Sequence, residues 1–148
     1  MIDNRSVPPD TILPHIVYPD VTEAIAWLSK TFGFTLHYHY GNPPDGAQLH
    51  LGNAWIMVNR PREARDTPAR LGARTQSLTI FVEDLESHYQ RTKFSGARIV
   101  EELQETEYGE LQYGVEDLAG HHWLFARHAR DVNPADWGAT VAHPYAKP

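Results

Sequence analysis

The period of the apolar positions switches from strand-like to helix-like and back, and the chain does this twice in the same order. Residues 12–17, extended to Tyr18, form a short apolar and β-branched run behind Pro8-Pro9, which predicts a first strand. Val21, Ala24, Ile25, Leu28 and Phe32 then recur at helical spacing. Asp20 stands where an N-cap belongs, with Glu23 three residues on, and Gly33 is placed to end the helix. Residues 35–40 are strand-like and aromatic, and residues 41–46 are dense turn sequence. The runs 47–51 and 54–59 flank Gly52-Asn53, the spacing of a tight hairpin. A two-residue turn there sets His50 across from Trp55 and Gln48 across from Met57, all four on one face.

The same order returns after residue 76. A strand is predicted over 77–82, a helix over 84–95, and strands over 98–106, 110–115 and 121–127, with residues 117–120 as the last turn. Asp20 to Asp84 is 84 − 20 = 64 positions, and Gly33 to Gly96 is 96 − 33 = 63. A period this long, present twice, predicts a duplicated βαβββ unit within one domain, since a solenoid needs three or more copies. The fold class is therefore α+β, with a first module over about 10–60, a linker over 61–75, a second module over 76–128 and a tail over 129–148. The linker region 60–74 carries five arginines and two prolines without periodicity, so it reads as a solvated connector, with a lid over a cavity as the alternative. The tail from His128, with three prolines and Trp137, is expected to wrap the surface or a partner subunit and to leave only its last residues free.

Composition narrows the function classes. At 148 residues the chain can bury a core without staples. It has no cysteine, which removes disulfides, thiolate metal sites and cysteine nucleophiles and fits a reducing, cytoplasmic compartment. No 18-residue apolar run and no signal-like N-terminus are present, so neither a membrane span nor a secretory address is expected. A net charge of −6 with scattered Lys and Arg argues against nucleic acid as a partner.

Nine histidines invite a metal reading. His37 and His39 are expected on one strand face, His15 on the same face as Leu13, and His121 and His122 on opposite faces of the last strand. Their spacing does not converge them, although a site built from His15, His50, His122 and a carboxylate stays open. The cluster Glu101, Glu102, Glu105, Glu107 and Glu110 reads as a solvated strand edge. No nucleophile elbow and no phosphate-cradling glycine loop occurs. What remains is an aromatic cavity: Leu13, His15 and Val17, then Gln48, His50, Trp55 and Met57, then Ser77, Thr79 and Phe81, then His122 and Leu124 share the inward faces. Trp55, Met57 and Phe81 as plain core is the competing assignment, and Trp123 and Phe125 are expected to pack beneath the helices.

The pattern Thr106-Glu-Tyr108-Gly109, then Tyr113-Gly-Val-Glu-Asp117-Leu-Ala-Gly120-His-His-Trp123-Leu-Phe125, with Ala24-Ile25-Ala-Trp27-Leu28 and Phe32-Gly33-Phe34, resembles the glyoxalase/bleomycin-resistance family of the vicinal oxygen chelate superfamily. The resemblance spans residues 12–125 and implies two βαβββ modules curled around one cavity, in chains that often pair. Leu118 and Ala119 replace the proline and acidic residue usual in the last turn, a departure that touches hairpin geometry. Metal-using members place one ligand on the first and one on the last strand of each module. The positions that correspond are Leu13, Met57, Ser77 and Leu124, which cannot supply the imidazole and carboxylate donors of a divalent site. The resemblance thus implies a metal-independent homodimer, without cofactor, that sequesters a drug-like or secondary-metabolite ligand. Its expected ligand-binding residues are Leu13, His15, Gln48, His50, Trp55, Met57, Ser77, Phe81, His122 and Leu124. The alternative is a glyoxalase-like lyase or isomerase that uses displaced histidine and carboxylate ligands.

Overall fold

Asp20 and Asp84 each start a helix by the same local device. Asp20 Oδ1 accepts the Glu23 N–H at 3.0 Å and opens α1, Val21–Phe32; Asp84 Oδ1 accepts the Ser87 N–H at 3.1 Å and opens α3, Leu85–Phe94. Gly33, at φ 86°, closes α1 by donating to Ser29 O while Phe34 N–H donates to Leu28 O. The computed structural model describes residues 2–10 and 12–145. Around these helices lie β1 His15–Val17, β2 Thr35–Tyr40, β3 Gly46–Leu51, β4 Ala54–Asn59, a one-turn helix α2 Pro68–Leu71, β5 Ser77–Phe81, β6 Arg98–Glu105, β7 Glu110–Glu116 and β8 His122–His128, and a 3-10 turn Pro134–Trp137.

The strands form two four-stranded mixed sheets of identical topology, β1-β4-β3-β2 and β5-β8-β7-β6, each one βαβββ copy of an α+β fold. In each, the first strand lies parallel to the last and the remaining pairs are antiparallel. The β3–β4 hairpin has the predicted register, with His50 opposite Trp55 and Gln48 opposite Met57. Three details depart from the sequence reading. β1 is only three residues long, because Pro14 has no N–H to extend the ladder and contributes only its carbonyl, which accepts from Met57 N–H at 2.8 Å. The connector holds α2, capped by Thr67 and started by Pro68, a turn too short to leave a periodic signal. The register of β2 shifts between Leu36 and Tyr38, so His37 and His39 do not share a face as expected: His39 pairs with Ala47, whereas His37 reaches Gln48.

One hydrophobic cluster runs through both copies. Ile16, Leu49, Ile56 and Val58 from the first sheet and Ile80, Val115, Trp123 and Phe125 from the second pack beneath α1 and α3. Trp123 and Phe125 are fully buried, as their alternation with Leu124 predicted. Phe32 of α1 packs on both, at ring-centroid distances of 5.5 and 4.8 Å, so the first helix contributes to the second sheet's core. Of the acidic run, Glu102 accepts from Tyr89, Glu105 from Arg130 and Glu110 from His128, so that edge is tied to its neighbours more than expected. Trp137 of the tail lies edge-on to Tyr108, with ring centroids 5.9 Å apart, while the final residues, 146–148, lie outside the described ones.

Polar groups buried between the copies fix their relative position. Asp117 Oδ2 accepts from Tyr18 Oη at 2.6 Å and from Trp123 Nε1 at 2.9 Å, while its Oδ1 accepts the N–H groups of Ala119 and His121. Burial, reinforced by the Asp117 charge, pushes the Tyr18 hydroxyl pKa well above its ordinary value. Since Tyr18 and Trp123 are fully buried, Asp117→Ala strands two donors and loosens the turn. The substitution is expected to cost about 3–5 kcal/mol in denaturant unfolding, well beyond a surface Asp→Ala change.

His88 makes the second such contact. Its Nε2 donates to Phe32 O at 2.8 Å, which leaves Nδ1 to accept from Tyr113 Oη at 2.6 Å, and the Thr92 hydroxyl lies 2.9 Å from Tyr113 Oη. Burial lowers the His88 pKa below 6.5 and the Arg91 charge adds to the effect, against the Phe32 hydrogen bond that favours the charged form. The unfolded chain therefore takes up this proton at a higher pH than the folded one. The stability held by neutral His88 is complete above about pH 6.5 and declines as pH falls below it. Thermal melts from pH 7.5 to 5 should show a steeper loss for the natural chain than for His88→Gln, whose side chain does not titrate.

Candidate ligand-binding site

The alternation that turns one face of each sheet toward the helices leaves the opposite face for function, and the two copies treat that face differently. On the first sheet it carries His15, Gln48, His50, Trp55, Met57 and Asn59, and its polar groups are mutually satisfied. His15 Nδ1 lies 2.9 Å from Asn59 Oδ1, whose Nδ2 donates to Tyr40 Oη at 3.2 Å. Gln48 Oε1 accepts from His37 Nδ1 at 2.7 Å, and Gln48 Nε2 donates to Ser6 O at 3.3 Å and to Met57 Sδ at 3.4 Å. Ser6 sits over this face through its carbonyl, which also accepts from Tyr38 Oη at 3.0 Å; Gln48 and Met57 are buried here, outside the main hydrophobic cluster. Trp55 is likewise outside the core, stacked on His50 at 4.5 Å and edge-on to His37 at 5.5 Å.

On the second sheet the corresponding face is open. Ser77, Thr79 and Phe81 are exposed, Phe81 by 57%, and Leu124 is half-buried. Central to it is Gly114, where a Cβ would lie 2.6 Å from Glu101 Oε2 and 2.9 Å from His122 Nε2. Those two atoms are 3.8 Å apart, too far for a hydrogen bond between them. His122 Nε2 is shielded from solvent and has no hydrogen-bond partner among the described residues, and Glu116 Oε2 shares that property. Glu116 is compensated by Arg98 at 3.1 Å and Arg74 at 3.8 Å, whereas the imidazole nitrogen of His122 faces the Glu101 carboxylate at 3.8 Å.

Between the edges of β1 and β5 runs a cleft of about 270 Å³. Ile12, Pro14, Ile16, Leu78 and Trp123 supply its apolar walls, and His15, Ser77 and His122 are among its polar groups. Of the expected ligand-binding residues, this cleft gathers His15, Ser77 and His122, and Phe81 and Leu124 extend from it over the second sheet. Gln48 donates to the Ser6 carbonyl with Met57 beside it, His50 and Trp55 sit toward the β3–β4 turn, and Leu13, half-buried ahead of β1, is not among the cleft residues. Sequence reasoning missed Glu101 and Gly114; a glycine inside an otherwise regular strand was the available signal. A larger groove of about 480 Å³ opens among Tyr40, Asp45, Arg60, Arg62 and Arg70, but its walls are mostly solvated charge, with Arg60 paired to Asp45 and Arg70 to Asp66 at 3.4 Å.

A divalent ion of the kind the resemblance raises does not fit the four corresponding side chains. Leu13 and Leu124 offer no donor, Met57 only a thioether and Ser77 only a neutral hydroxyl. Among the described residues no group of three or more His, Asp or Glu side chains is placed to hold a metal ion, and His15, His50 and His122 do not converge on one. Among the same residues no helix is long and apolar enough to cross a membrane.

Residues 10–125 match the family model of the Glyoxalase/Bleomycin resistance protein/Dioxygenase superfamily, and the chain belongs to that superfamily. Among solved structures, TioX from Micromonospora sp. ML1 is similar at a TM-score of 0.69 and 32% identity, over 80% of this chain and 98% of TioX. A bleomycin-binding protein complexed with bleomycin shares the fold, at a TM-score of 0.64 and 16% identity over 80% of this chain and 98% of its own. An uncharacterised protein of Mycobacterium tuberculosis is 29% identical over 129 residues, 81% of this chain and 75% of that protein.

Gly114→Ala tests the Glu101–His122 pair. The added methyl would lie 2.6 Å from Glu101 Oε2, 2.9 Å from His122 Nε2 and 3.2 Å from Glu101 Cβ, so both side chains must shift and the melting temperature should fall modestly. A ligand that bridges Glu101 and His122 should then bind at least about fivefold more weakly, measured by isothermal titration.

Proposed function

We propose that this protein is a metal-independent small-molecule-binding protein of the glyoxalase/bleomycin-resistance type, which sequesters a drug-like or secondary-metabolite ligand in the cleft between β1 and β5 and over the open face of the second sheet. The observation that carries this reading is the cleft's apolar walls beside His122, whose Nε2 is shielded from solvent and has no hydrogen-bond partner among the described residues. Burial of a flat apolar body supplies affinity, and one unsatisfied polar atom fixes orientation because leaving it unpaired is costly. A hydroxyl or amine placed between His122 and Glu101 satisfies both. The cleft's about 270 Å³ is near the lower end of ligand sites, roughly 300–1,000 Å³, and the adjoining Phe81 and Leu124 surface extends it.

The donor chemistry at Leu13, Met57, Ser77 and Leu124 supports binding over a metal-dependent lyase or isomerase. Pairing of two chains, in keeping with the superfamily, would cover the exposed Phe81 and enclose the site. The address is cytoplasmic in this reading, the lack of cysteine being its support.

Phe81→Ala and Leu124→Ala should each weaken binding of bleomycin or of the aromatic probe 8-anilinonaphthalene-1-sulfonate by about five- to tenfold, with thermal melts nearly unchanged. Elemental analysis of protein purified without chelator should find substoichiometric metal. Probe binding that ignores both substitutions, or stoichiometric nickel, zinc or iron, would overturn the reading.

A further inference from the structure

The segment 60–74 is cationic in a chain that is otherwise acidic. It holds five arginines against Glu63 and Asp66, a charge of 5 − 2 = +3, so the rest of the chain carries −6 − 3 = −9. Three of those arginines, Arg60, Arg62 and Arg70, line the groove of about 480 Å³ together with Tyr40 and Asp45, and this groove shares no lining residue with the β1–β5 cleft. Backbone hydrogen bonds fix where the side chains start. Asp45 N–H donates to Tyr40 O at 2.8 Å and Arg60 N–H to Asp45 O at 3.1 Å, while Ala69 N–H donates to Ala119 O at 3.0 Å and moors α2, which carries Arg70, to the second copy. Pro19 and Pro61 stiffen the walls. The guanidinium groups themselves are little used. Arg60 meets Asp45 and Arg70 meets Asp66 through single contacts at 3.4 Å, and the Arg62 side chain has no hydrogen-bond or ion-pair partner among the described residues.

We propose that this groove is a second ligand site and that it takes the phosphate monoester of a small ring-bearing molecule. Its lining carries three guanidinium groups and one carboxylate, 3 − 1 = +2, which matches the charge of about −1.5 to −2 on a phosphate monoester at neutral pH. A guanidinium presents paired N–H donors that fit phosphate oxygens two at a time. Giving up the 3.4 Å contacts to Asp45 and Asp66 costs little, since exposed ion pairs contribute little. The Tyr40 ring, 41% exposed, and the two prolines offer flat faces to the ring of the ester. A carboxylic acid of the same shape brings a single charge and leaves a guanidinium unmatched. The negative charge on the rest of the chain repels a long polyanion, which favours a small ester over nucleic acid. The site does not rest on a ligand binding in the β1–β5 cleft.

The test is a proton–nitrogen NMR titration of the full-length chain with phenyl phosphate at low ionic strength, followed at the arginine Nε–H groups. The Arg60, Arg62 and Arg70 signals should shift and saturate, and benzoate should bind at least about fivefold more weakly because it brings less charge. Arg62→Gln removes a guanidinium that has no partner among the described residues, so it should weaken phenyl phosphate binding at least about fivefold with an unchanged melting temperature. Arg65→Gln takes the same charge from the same segment but outside the groove lining, and should weaken binding less than about twofold. Equal losses in the two variants would mean diffuse charge and overturn the site, as would equal affinity for benzoate or shifts that do not saturate. Shifts confined to His122 and Leu124 overturn it too, while leaving the cleft reading intact.

Discussion

The last turn of α1 ends in carbonyls with acceptor capacity to spare, and α3 supplies donors to them. Arg91 donates to Lys30 O at 3.1 Å and Ser29 O at 2.9 Å, and His88 donates to Phe32 O at 2.8 Å. A cation at this end also suits the negative pole of the helix. These contacts join residues 56 to 62 positions apart, one from each copy of the repeated unit. They hold α1 where Phe32 reaches Trp123 and Phe125, and thereby set the two sheets at the spacing that leaves a cleft between β1 and β5. Gly33 takes part for a steric reason: a Cβ there would lie 2.7 Å from Arg91 Nη1, at a φ of 86° that side chains seldom adopt.

Duplication alone would yield two equivalent faces, and the chain has made them unequal. On the first sheet Tyr40, Asn59 and His15 form one chain of polar contacts, and His37, Gln48 and Tyr38 form another that ends on the Ser6 carbonyl. On the second, Gly114 removes a side chain from the centre, and Glu101 and His122 stop 3.8 Å apart above it without a hydrogen bond between them. A saturated polar network is rigid and inert, while an unsatisfied atom at the edge of an apolar cleft is a place for a ligand to gain free energy. Superfamily membership says which fold carries these faces; the chemistry resides in how each face is furnished.

Much of this arrangement was legible in the order of residues. The repeat at 64 positions marked the two βαβββ copies, Asp20, Asp84 and Gly33 marked the helix ends, and Gly52-Asn53 set the β3–β4 register on which the facing of Gln48, His50, Trp55 and Met57 rests. Those signals are local: a cap acts within one turn, and strand alternation needs only a period of two. Alternation also set the paired residues Gln48, His50, Trp55 and Met57, and Ser77 and His122, on common sheet faces, and the four positions that the family resemblance matches to ligand places, Leu13, Met57, Ser77 and Leu124, carry little donor chemistry.

Alternation says which way a side chain points but not what lies above it. The residue order held no signal that the Ser6 carbonyl meets Tyr38 and Gln48, because one carbonyl meeting two donors leaves no periodic trace. Nor did it foretell the bulge that parts His37 from His39, the one-turn helix at Pro68, or the meeting of Glu101, Gly114 and His122 from three neighbouring strands. The meeting of Glu101, Gly114 and His122 depends on strands that become neighbours only when their sheet forms, and the bulge on the pairing of β2 with β3. Local spacing therefore specifies the parts and their faces, while burial, cover and the geometry of the cleft arise from contacts distant in the chain.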